Sequence, residues 1–258
     1  MPNPVDWLTQ TLSLFTPLSR VLLAGWLLGM IAVPILKWVR GSGAERIAIS
    51  VGVLLQVALV ISILTDAWGF GRTIVAWLAV SGLGWLSEFV GCRTGYPYGS
   101  YYYTKVLQPQ VLRVPVIIPL AWMMMMPPAW AVGRTASAAL GAPGSFSLFI
   151  LLSALAFTAW DLYLDPQMVH WDFWRWRKKG AYFGIPLTNY LGWLVVAAAI
   201  TAIVGPDAIP APQLLLVYFL TWLLQAGAQL AFWKLYGSGI IGFLGMGLMA
   251  LLAWFGMP

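Results

Sequence analysis

The sequence predicts an all-α fold: a bundle of about eight helices that crosses the membrane repeatedly. Of its 258 residues, 61% are hydrophobic and only 9% are charged, whereas charged residues make up about 25% of soluble domains. The apolar residues also come in runs close to the roughly 20 residues that a helix needs to cross the hydrocarbon. We therefore expect residues 1–258 to form a single transmembrane domain.

Six apolar runs bounded by charge, proline or glycine are predicted to be membrane-spanning helices. They are Leu18–Leu36, Ile47–Leu64, Thr73–Val90, Val114–Val132, Phe146–Leu164 and Gln213–Trp233. Two further spans rest on weaker patterns, because Tyr190–Val204 is short and Ile240–Phe255 is rich in glycine. The alternative is a bundle of seven spans, which would mainly change the side of the membrane on which the C-terminus lies.

The basic residues indicate how the bundle is oriented. With eight spans, eleven lysines and arginines lie in the odd-numbered loops, and only Arg20, Arg72 and Arg134 lie on the opposite face. Because cytoplasmic loops are enriched in basic residues, the odd-numbered loops are predicted to be cytoplasmic and the membrane to be the cell (plasma) membrane. An anionic inner leaflet explains the net charge of +6, so nucleic acid is not expected as a partner.

The two longest polar stretches, Gly91–Arg113 and Pro166–Thr188, are predicted to share one face and are unusually rich in aromatic residues. Such rings commonly lie at the level of the lipid headgroups, and this interpretation is favoured for any single ring. The alternative is a mouth that admits an apolar ligand from the lipid. Cys92 is the only cysteine and His170 the only histidine, so we predict no metal site and no other cofactor.

Acidic side chains at membrane depth are costly and therefore predict function. Glu88 lies near the cytoplasmic end of the third predicted span, and Asp161 and Asp165 near the same end of the fifth. The two aspartates are four residues apart and so share one helix face. Closely placed carboxyls could supply a general acid and orient water. The structural alternative is that each acid pairs with Arg93, Arg175 or an asparagine and only holds helices together.

Four stretches lie in a specific order between Trp85 and Trp193. They are EFVGCRTGYPYGSYYY (88–103), PLAW (119–122), DLYLDPQM (161–168) and GAYFGIPLTNYLGW (180–193). This order of motifs resembles the membrane carotenoid hydratases, which comprise the carotenoid 1',2'-hydratases and the bisanhydrobacterioruberin hydratases. The first two and last two spans are similar to that family only in hydropathy.

The resemblance implies a cofactor-independent lyase of carotenoid biosynthesis. Such an enzyme adds water across the terminal C1'=C2' double bond of an acyclic carotenoid end group and gives a tertiary alcohol. The substrate would be lycopene, γ-carotene or a bacterioruberin precursor. Protonation at C2' leaves the positive charge on C1', where water captures it. Asp161 or Glu88 is expected to donate the proton, and Asp165 to position water or take the proton back.

Five further residues are predicted to bind the substrate or the carboxyls. Trp85, Trp122 and Trp160 could stabilise the carbocation through their ring faces, although packing is the commoner role of a tryptophan. Tyr163 and Asn189 could donate hydrogen bonds to the carboxyls, although an asparagine at the start of a span is also a plain helix cap. The expected partners are a hydrophobic carotenoid, water, the lipid bilayer and other carotenoid enzymes.

Three other functions remain open. Asp161-x-x-x-Asp165 has the form of the aspartate pair that binds Mg²⁺ and diphosphate in intramembrane prenyltransferases. The pattern that those enzymes resemble has an asparagine four residues before the first aspartate, but this sequence has Phe157 there, and a second acid-rich motif is missing. A carotenoid cyclase would use the same acid-triggered cation chemistry. A proton-coupled transporter would use the acids as a relay, and it commonly has inverted repeats, which are not apparent in this sequence.

Overall fold

The computed structural model describes residues 2–257, and this part of the chain is mostly helical. Its helices are α1 (Pro4–Ser13), α2 (Pro17–Arg40), α3 (Ser42–Trp68), α4 (Phe70–Thr94), α5 (Ile117–Ala139), α6 (Phe146–His170), α7 (Leu187–Val204), α8 (Ala211–Gly227) and α9 (Tyr236–Phe255). A π-helical turn, Ala228–Phe232, continues α8. Four short strands are β1 (Tyr101–Tyr103), β2 (Gln110–Val111), β3 (Val114–Pro115) and β4 (Trp174–Trp176).

Each of the eight predicted spans falls on a helix. Within residues 2–257, seven helices are long and apolar enough to cross a membrane, counting α8 together with its π-helical turn. The predicted fold class, a multi-pass bundle of membrane helices, is therefore confirmed. The remaining long helix, α5, is buried through most of its length, including Met123–Met126. It packs against α3, α4, α6, α8 and α9 and so forms the centre of the bundle.

Two details differ from the sequence prediction. The span expected at Val114–Val132 starts too early, because Val114–Pro115 pairs with Gln110–Val111 as a strand and the helix begins only at Ile117. The sequence prediction also lacks α1, which is too short to span a membrane. Asn3 accepts a hydrogen bond from the Val5 N–H and caps α1, and the Trp7 ring packs on the end of α9 at Trp254.

Single glycines make the tight turns between the first long helices. Gly41 (φ +78°) separates α2 from α3, and Gly69 (φ +77°) separates α3 from α4. Both conformations lie in the region that favours glycine, so these three helices follow one another with almost no loop. The long aromatic loops, residues 95–116 and 171–186, meet at one end of the bundle through strands β1 and β4, and we call this end the loop end.

Candidate active site

The two aromatic loops pair as a small antiparallel sheet over the carboxyls. The register is Tyr101 with Trp176, Tyr102 with Arg175, and Tyr103 with Trp174. Successive side chains of a strand point to opposite faces, and here the middle pair is exposed whereas Tyr101 and Trp174 are buried. The interpretation as an interfacial belt is therefore wrong for the inward-facing rings, which cover the interior of the bundle. It fits Tyr96, which is 78% exposed.

Glu88 is buried on α4 beneath this sheet and accepts two tyrosine hydrogen bonds. The hydroxyls of Tyr101 and Tyr103 both donate to Glu88 Oε2, the latter at 2.7 Å. Burial and, next, the Glu88 charge raise the pKa of Tyr101 and Tyr103 well above the ordinary value. Both hydroxyls therefore keep their protons and act as donors, which favours the charged form of the carboxyl that they contact.

Asp161 and Asp165 are both buried on α6 and share one amide. Asn189 Nδ2 donates to Asp161 Oδ2 at 2.8 Å and to Asp165 Oδ2 at 2.7 Å, as an amide nitrogen with two hydrogens can. Trp174 Nε1 donates to Asp165 Oδ1 at 2.5 Å. The other oxygen of Asp161, Oδ1, is buried and has no hydrogen-bond partner among residues 2–257.

Asn189 is not a helix cap. α7 begins at Leu187 after Pro186, which occupies the cap position without a side-chain hydrogen bond. The asparagine lies in the first turn of α7, and its amide points to α6 rather than to the free N–H groups of its own helix. Its predicted contact with the carboxyls is present, and the helix-cap alternative is wrong.

A cavity of about 30 Å³ lies between these groups, with Glu88, Asp165 and Asn189 in its wall. A buried water needs about 10–15 Å³ of such space and two to four polar partners, so the cavity suits one or two waters. Asp161 is not part of the wall and lies behind Asn189. Among the described residues that form the wall, none is lysine or arginine.

A second, larger cavity of about 700 Å³ adjoins the small one. Ile118, Ala121, Leu164 and Trp174 line both. The remaining wall comes mainly from apolar side chains of α2, α3, α5, α6 and α8. Its volume is in the range of sites that enclose organic ligands, about 300–1,000 Å³. An apolar chamber thus lies next to the small cavity that the acids line.

Stacked aromatic rings form one side of the site. Trp122 stacks on Trp193 with centroids 5.1 Å apart, and Trp160 meets Trp193 edge to face at 6.1 Å. Trp122 lines the small cavity and Trp160 the large one. Trp122 fits only because residue 84 is glycine, since a Cβ there would lie 2.8 Å from Trp122 Cγ.

Two predicted residues lie outside this arrangement. Trp85 lines neither cavity and stacks on Phe89 at the partly exposed side of α4, with centroids 5.1 Å apart. The Tyr163 hydroxyl is 3.5 Å from the carbonyl oxygen of Trp222, and no hydrogen bond joins it to either aspartate among the described residues. The structure brings together Glu88, Asp161, Asp165, Trp122, Trp160 and Asn189.

The arginine part of the structural alternative does not apply, whereas its asparagine part is present, because Asn189 binds both aspartates. Arg93 donates to the carbonyls of Phe89 and Leu112, and Arg175 pairs with the exposed Asp172. None of the ion pairs between residues 2 and 257 involves the three buried carboxyls. The same part of the chain contains no group of three or more histidine, cysteine or acidic side chains placed to hold a metal ion.

The sequence did not assign six aromatic residues of the small cavity to the site. They are Tyr98, Tyr101, Tyr103, Trp174, Trp176 and Trp193. The alternation Trp-Arg-Trp at residues 174–176 is a signal that could have identified an inward-facing strand. Trp193 lies four residues after Asn189, which places both on one face of α7.

Comparisons with known proteins identify the family of the chain. A family model described as "Carotenoid biosynthesis protein" matches residues 48–252. The curated bisanhydrobacterioruberin hydratase of Haloarcula japonica is 36% identical over 110 residues, and the match covers 42% of this chain but only 36% of that hydratase. No solved structure matches the chain. Because the family model covers most of the chain and all residues of the site, this chain belongs to the carotenoid biosynthesis protein family.

Proposed function

We propose that the chain is a carotenoid hydratase, which adds water across the terminal C1'=C2' double bond of an acyclic carotenoid end group. Family membership and the similarity to a bisanhydrobacterioruberin hydratase support a reaction of this class. The observation that carries the proposal is that the two cavities adjoin and share four lining residues. A space that suits one or two waters, with two carboxyls in its wall, lies next to an apolar chamber of about 700 Å³.

The end group would lie where the two cavities meet. Ile118 and Leu164 line both spaces and would contact its two terminal methyl groups. Beyond them the wall changes from apolar side chains to Asp165 and Glu88. An end group held there puts its double bond beside the acids while the polyene stays in the apolar chamber.

Asp165 is the proton donor in this proposal. Asn189 binds one oxygen of Asp161 and one of Asp165, and two negative charges one helical turn apart would be costly in apolar surroundings. The pair therefore holds one proton. Asp165 delivers it because only Asp165 of the two faces the small cavity, although its two N–H donors favour its charged form between turnovers. Asp161, off the cavity wall, is a positioning residue. This assignment differs from the sequence expectation, which favoured Asp161 or Glu88 as the donor.

Glu88 is the water-binding base. Burial disfavours its charged form, and the two tyrosine donors on Oε2 offset part of that cost, so the carboxylate can accept a hydrogen bond from water in the small cavity. Asp165 transfers a proton to C2', which consumes the alkene π bond and leaves a cation at C1'. Water forms the new C–O bond and loses a proton to Glu88. The proton then returns to the aspartate pair, and the overall change is the addition of one water molecule.

The tryptophans would stabilise the cation between these two steps. A ring face can stabilise a nearby cation by about 0.5–2 kcal/mol, and Trp122, Trp174 and Trp193 all line the small cavity. These side chains also keep out most other water, so the cation is captured at the position that Glu88 controls. Trp160 contacts the polyene farther from the reacting bond, in the large cavity.

Pigment analysis tests the proposal. The chain is expressed in cells that accumulate lycopene and, separately, in cells that accumulate γ-carotene. The pigments are separated by chromatography and their masses are measured by mass spectrometry. We expect a product heavier by one water, with its oxygen derived from isotopically labelled water. Asp165→Asn and Glu88→Gln should abolish it. Asp172→Asn is the matched control, because Asp172 is exposed and pairs with Arg175 outside the site.

Each alternative reaction has its own product mass. A cyclase gives an isomer of unchanged mass, and a prenyltransferase gives a product heavier by a prenyl unit. Unchanged pigments in membranes that contain the folded protein would contradict the hydratase proposal for both carotenoids. Equal activity of Asp165→Asn and the wild type would contradict the assignment of the proton donor.

A further inference from the structure

The large cavity opens toward the lipid along a groove on α3. Ile47, Val51 and Leu54 line it, and between 45% and 69% of each side chain is exposed. Ile31 on α2 and Leu223 on α8 also combine cavity lining with exposure. These positions lie within helices long enough to span a membrane, so lipid chains or an apolar ligand must cover the opening.

Side-chain contacts connect the helices that flank the groove at the loop end. Lys37 Nζ lies 3.1 Å from Glu45 Oε1, and Trp233 Nε1 donates to the same oxygen at 3.1 Å. The rings of Trp38 and Phe232 lie beside this ion pair, with centroids 5.1 Å apart. These contacts join α2, α3 and the end of the π-helical turn, so they hold the three helices together at this end while the apolar side of the groove stays exposed.

Both helices that flank the groove have an irregular backbone at the groove. Pro34 lies inside α2 and lines the cavity, and a proline removes one helical hydrogen bond and crowds the preceding turn. On the other side, α8 changes to a π-helical turn after Gly227. Such departures from a regular helix are common at functional sites, and here they lie on both sides of one opening.

The length of the cavity limits how much substrate it holds. Its lining residues on α3 extend from Arg46 to Gln56, which at a rise of 1.5 Å per residue is about 15 Å. An extended carotenoid is about as long as the hydrocarbon core of a bilayer is thick, about 30 Å. The cavity therefore accommodates about half of such a molecule, and the rest has to leave through the groove.

We infer that the groove between α2, α3 and α8 is a lateral portal, through which one half of a carotenoid enters from the lipid while the other half stays in the bilayer. The identity of the ligand rests on the proposed function. One end group at a time then reaches the acids, and the opposite end of the molecule is not bound by the protein.

Gly227 offers a test, because it lines the cavity and a Cβ added there would contact nothing within 4 Å. Gly227→Trp places a large ring at the portal from a Cβ position that contacts nothing. Gly82→Trp is the matched control: Gly82 is also an exposed glycine inside a long helix, a Cβ there also contacts nothing within 4 Å, and it lines neither cavity. Both variants and the wild type are purified from lycopene-containing membranes.

Two readouts separate the portal from the reaction: lycopene retained per purified protein, and hydrated product formed. Gly227→Trp should lower both by about tenfold or more, the ratio that 1.4 kcal/mol of lost binding gives, while Gly82→Trp leaves both unchanged. Wild-type levels in folded Gly227→Trp would overturn the portal. If the wild type retains lycopene but forms no product, and only Gly227→Trp loses the retained lycopene, the hydratase proposal is rejected and the portal is supported. If Gly227→Trp does not fold, Ile31→Trp on the opposite wall replaces it, with the same expected and overturning results.

Discussion

Trp174 donates a hydrogen bond of 2.5 Å from its indole N–H to Oδ1 of Asp165. The two residues lie on different elements, β4 and α6, so this bond attaches the loop-end sheet to the aspartate pair. It also fixes the direction in which the Asp165 carboxyl points.

Replacing Trp174 by phenylalanine keeps a ring and removes the donor. The unpaired Asp165 oxygen would cost about 1–3 kcal/mol, and we expect the hydration rate to fall about tenfold or more as the carboxyl loses its orientation. The rate is measured as product formed per amount of membrane protein. Trp68→Phe is the control, since Trp68 Nε1 also donates to an oxygen, the Ala208 carbonyl, at the opposite end of the bundle. Equal rates for the two variants would contradict a specific role of the indole donor.

The shared amide of Asn189 leads to a second prediction. Asn189→Leu has a similar volume but leaves Asp161 and Asp165 without their common donor, so we expect both loss of hydration and a lower unfolding temperature in detergent. Losing a buried hydrogen-bond donor to two carboxyls costs about 1–3 kcal/mol for each group left unpaired. Gln213→Leu serves as the control, because its amide makes only a 3.4 Å contact with the Leu14 carbonyl. An active, equally stable Asn189→Leu protein would show that the amide is dispensable.

Two glycines on α4 should respond in opposite ways to the same change. An alanine Cβ at residue 84 would lie 2.8 Å from Trp122 Cγ, whereas at residue 82 it would contact nothing within 4 Å. Gly84→Ala should therefore displace Trp122, destabilise the protein by about 1–3 kcal/mol and lower the hydration rate. Gly82→Ala should be neutral or stabilise the helix by up to about 1 kcal/mol. Thermal unfolding and pigment analysis of the pair test this, and a tolerated Gly84→Ala would mean that Trp122 is not held in place by close packing.

The tyrosines above Glu88 predict how stability depends on alkaline pH. An unfolded tyrosine loses its proton near pH 10, whereas burial raises the pKa of Tyr101 and Tyr103 in the folded protein. Below about pH 10 both states carry these protons and the two residues add no pH dependence. Above it the unfolded state binds fewer protons, so the free energy of unfolding decreases as the pH rises.

The measurement is the unfolding temperature between about pH 8 and pH 11. The double variant Tyr101→Phe with Tyr103→Phe should be less stable at neutral pH but should lose less stability above about pH 10. The comparison isolates these two groups from the lysines and other tyrosines, which titrate in both proteins. Identical slopes would mean that the two hydroxyls are accessible to solvent in the folded state.

The helices were predictable from sequence because membrane burial leaves a strong one-dimensional pattern. Asp161 and Asp165 were also predictable as a pair, since a spacing of four residues fixes a common face on any helix. Topology alone then brought Glu88 to a similar depth. None of these inferences depends on tertiary contacts between distant residues.

The small sheet of β1 and β4 that covers the acids depends on such contacts and was not predicted. Tyr103 and Trp174 face each other only through a strand pairing between two loops that α5 and α6 separate, and an aromatic loop next to a membrane has an ordinary interfacial explanation. The same limit accounts for Trp85 and Tyr163. Both lie near the acids in sequence, but the orientation of their helices points one to a partly exposed surface and the other toward α8.

The hydrogen-bond donors to Glu88 and to Asp165 form two groups, and most of these donors lie close in sequence to the acid that they bind. Glu88 receives its hydrogen bonds from Tyr101 and Tyr103, which follow it within fifteen residues, and Asp165 receives one from Trp174, nine residues later. Between these two groups the chain passes through the exposed turn at Gly141, where φ is +74° and a Cβ would contact nothing within 4 Å.

A protein cut at this turn should therefore be able to reassemble. The fragment that ends near Gly141 contains Glu88 with both of its tyrosine donors, and the fragment that follows contains Asp165 with Trp174 and Asn189. Neither fragment needs the other for the hydrogen bonds to Glu88 or Asp165, and the packing of α5 on α6, α8 and α9, together with the pairing of β1 with β4, aligns them. Co-expressed in one membrane, the two fragments should complement each other and restore the pigment product that neither forms alone.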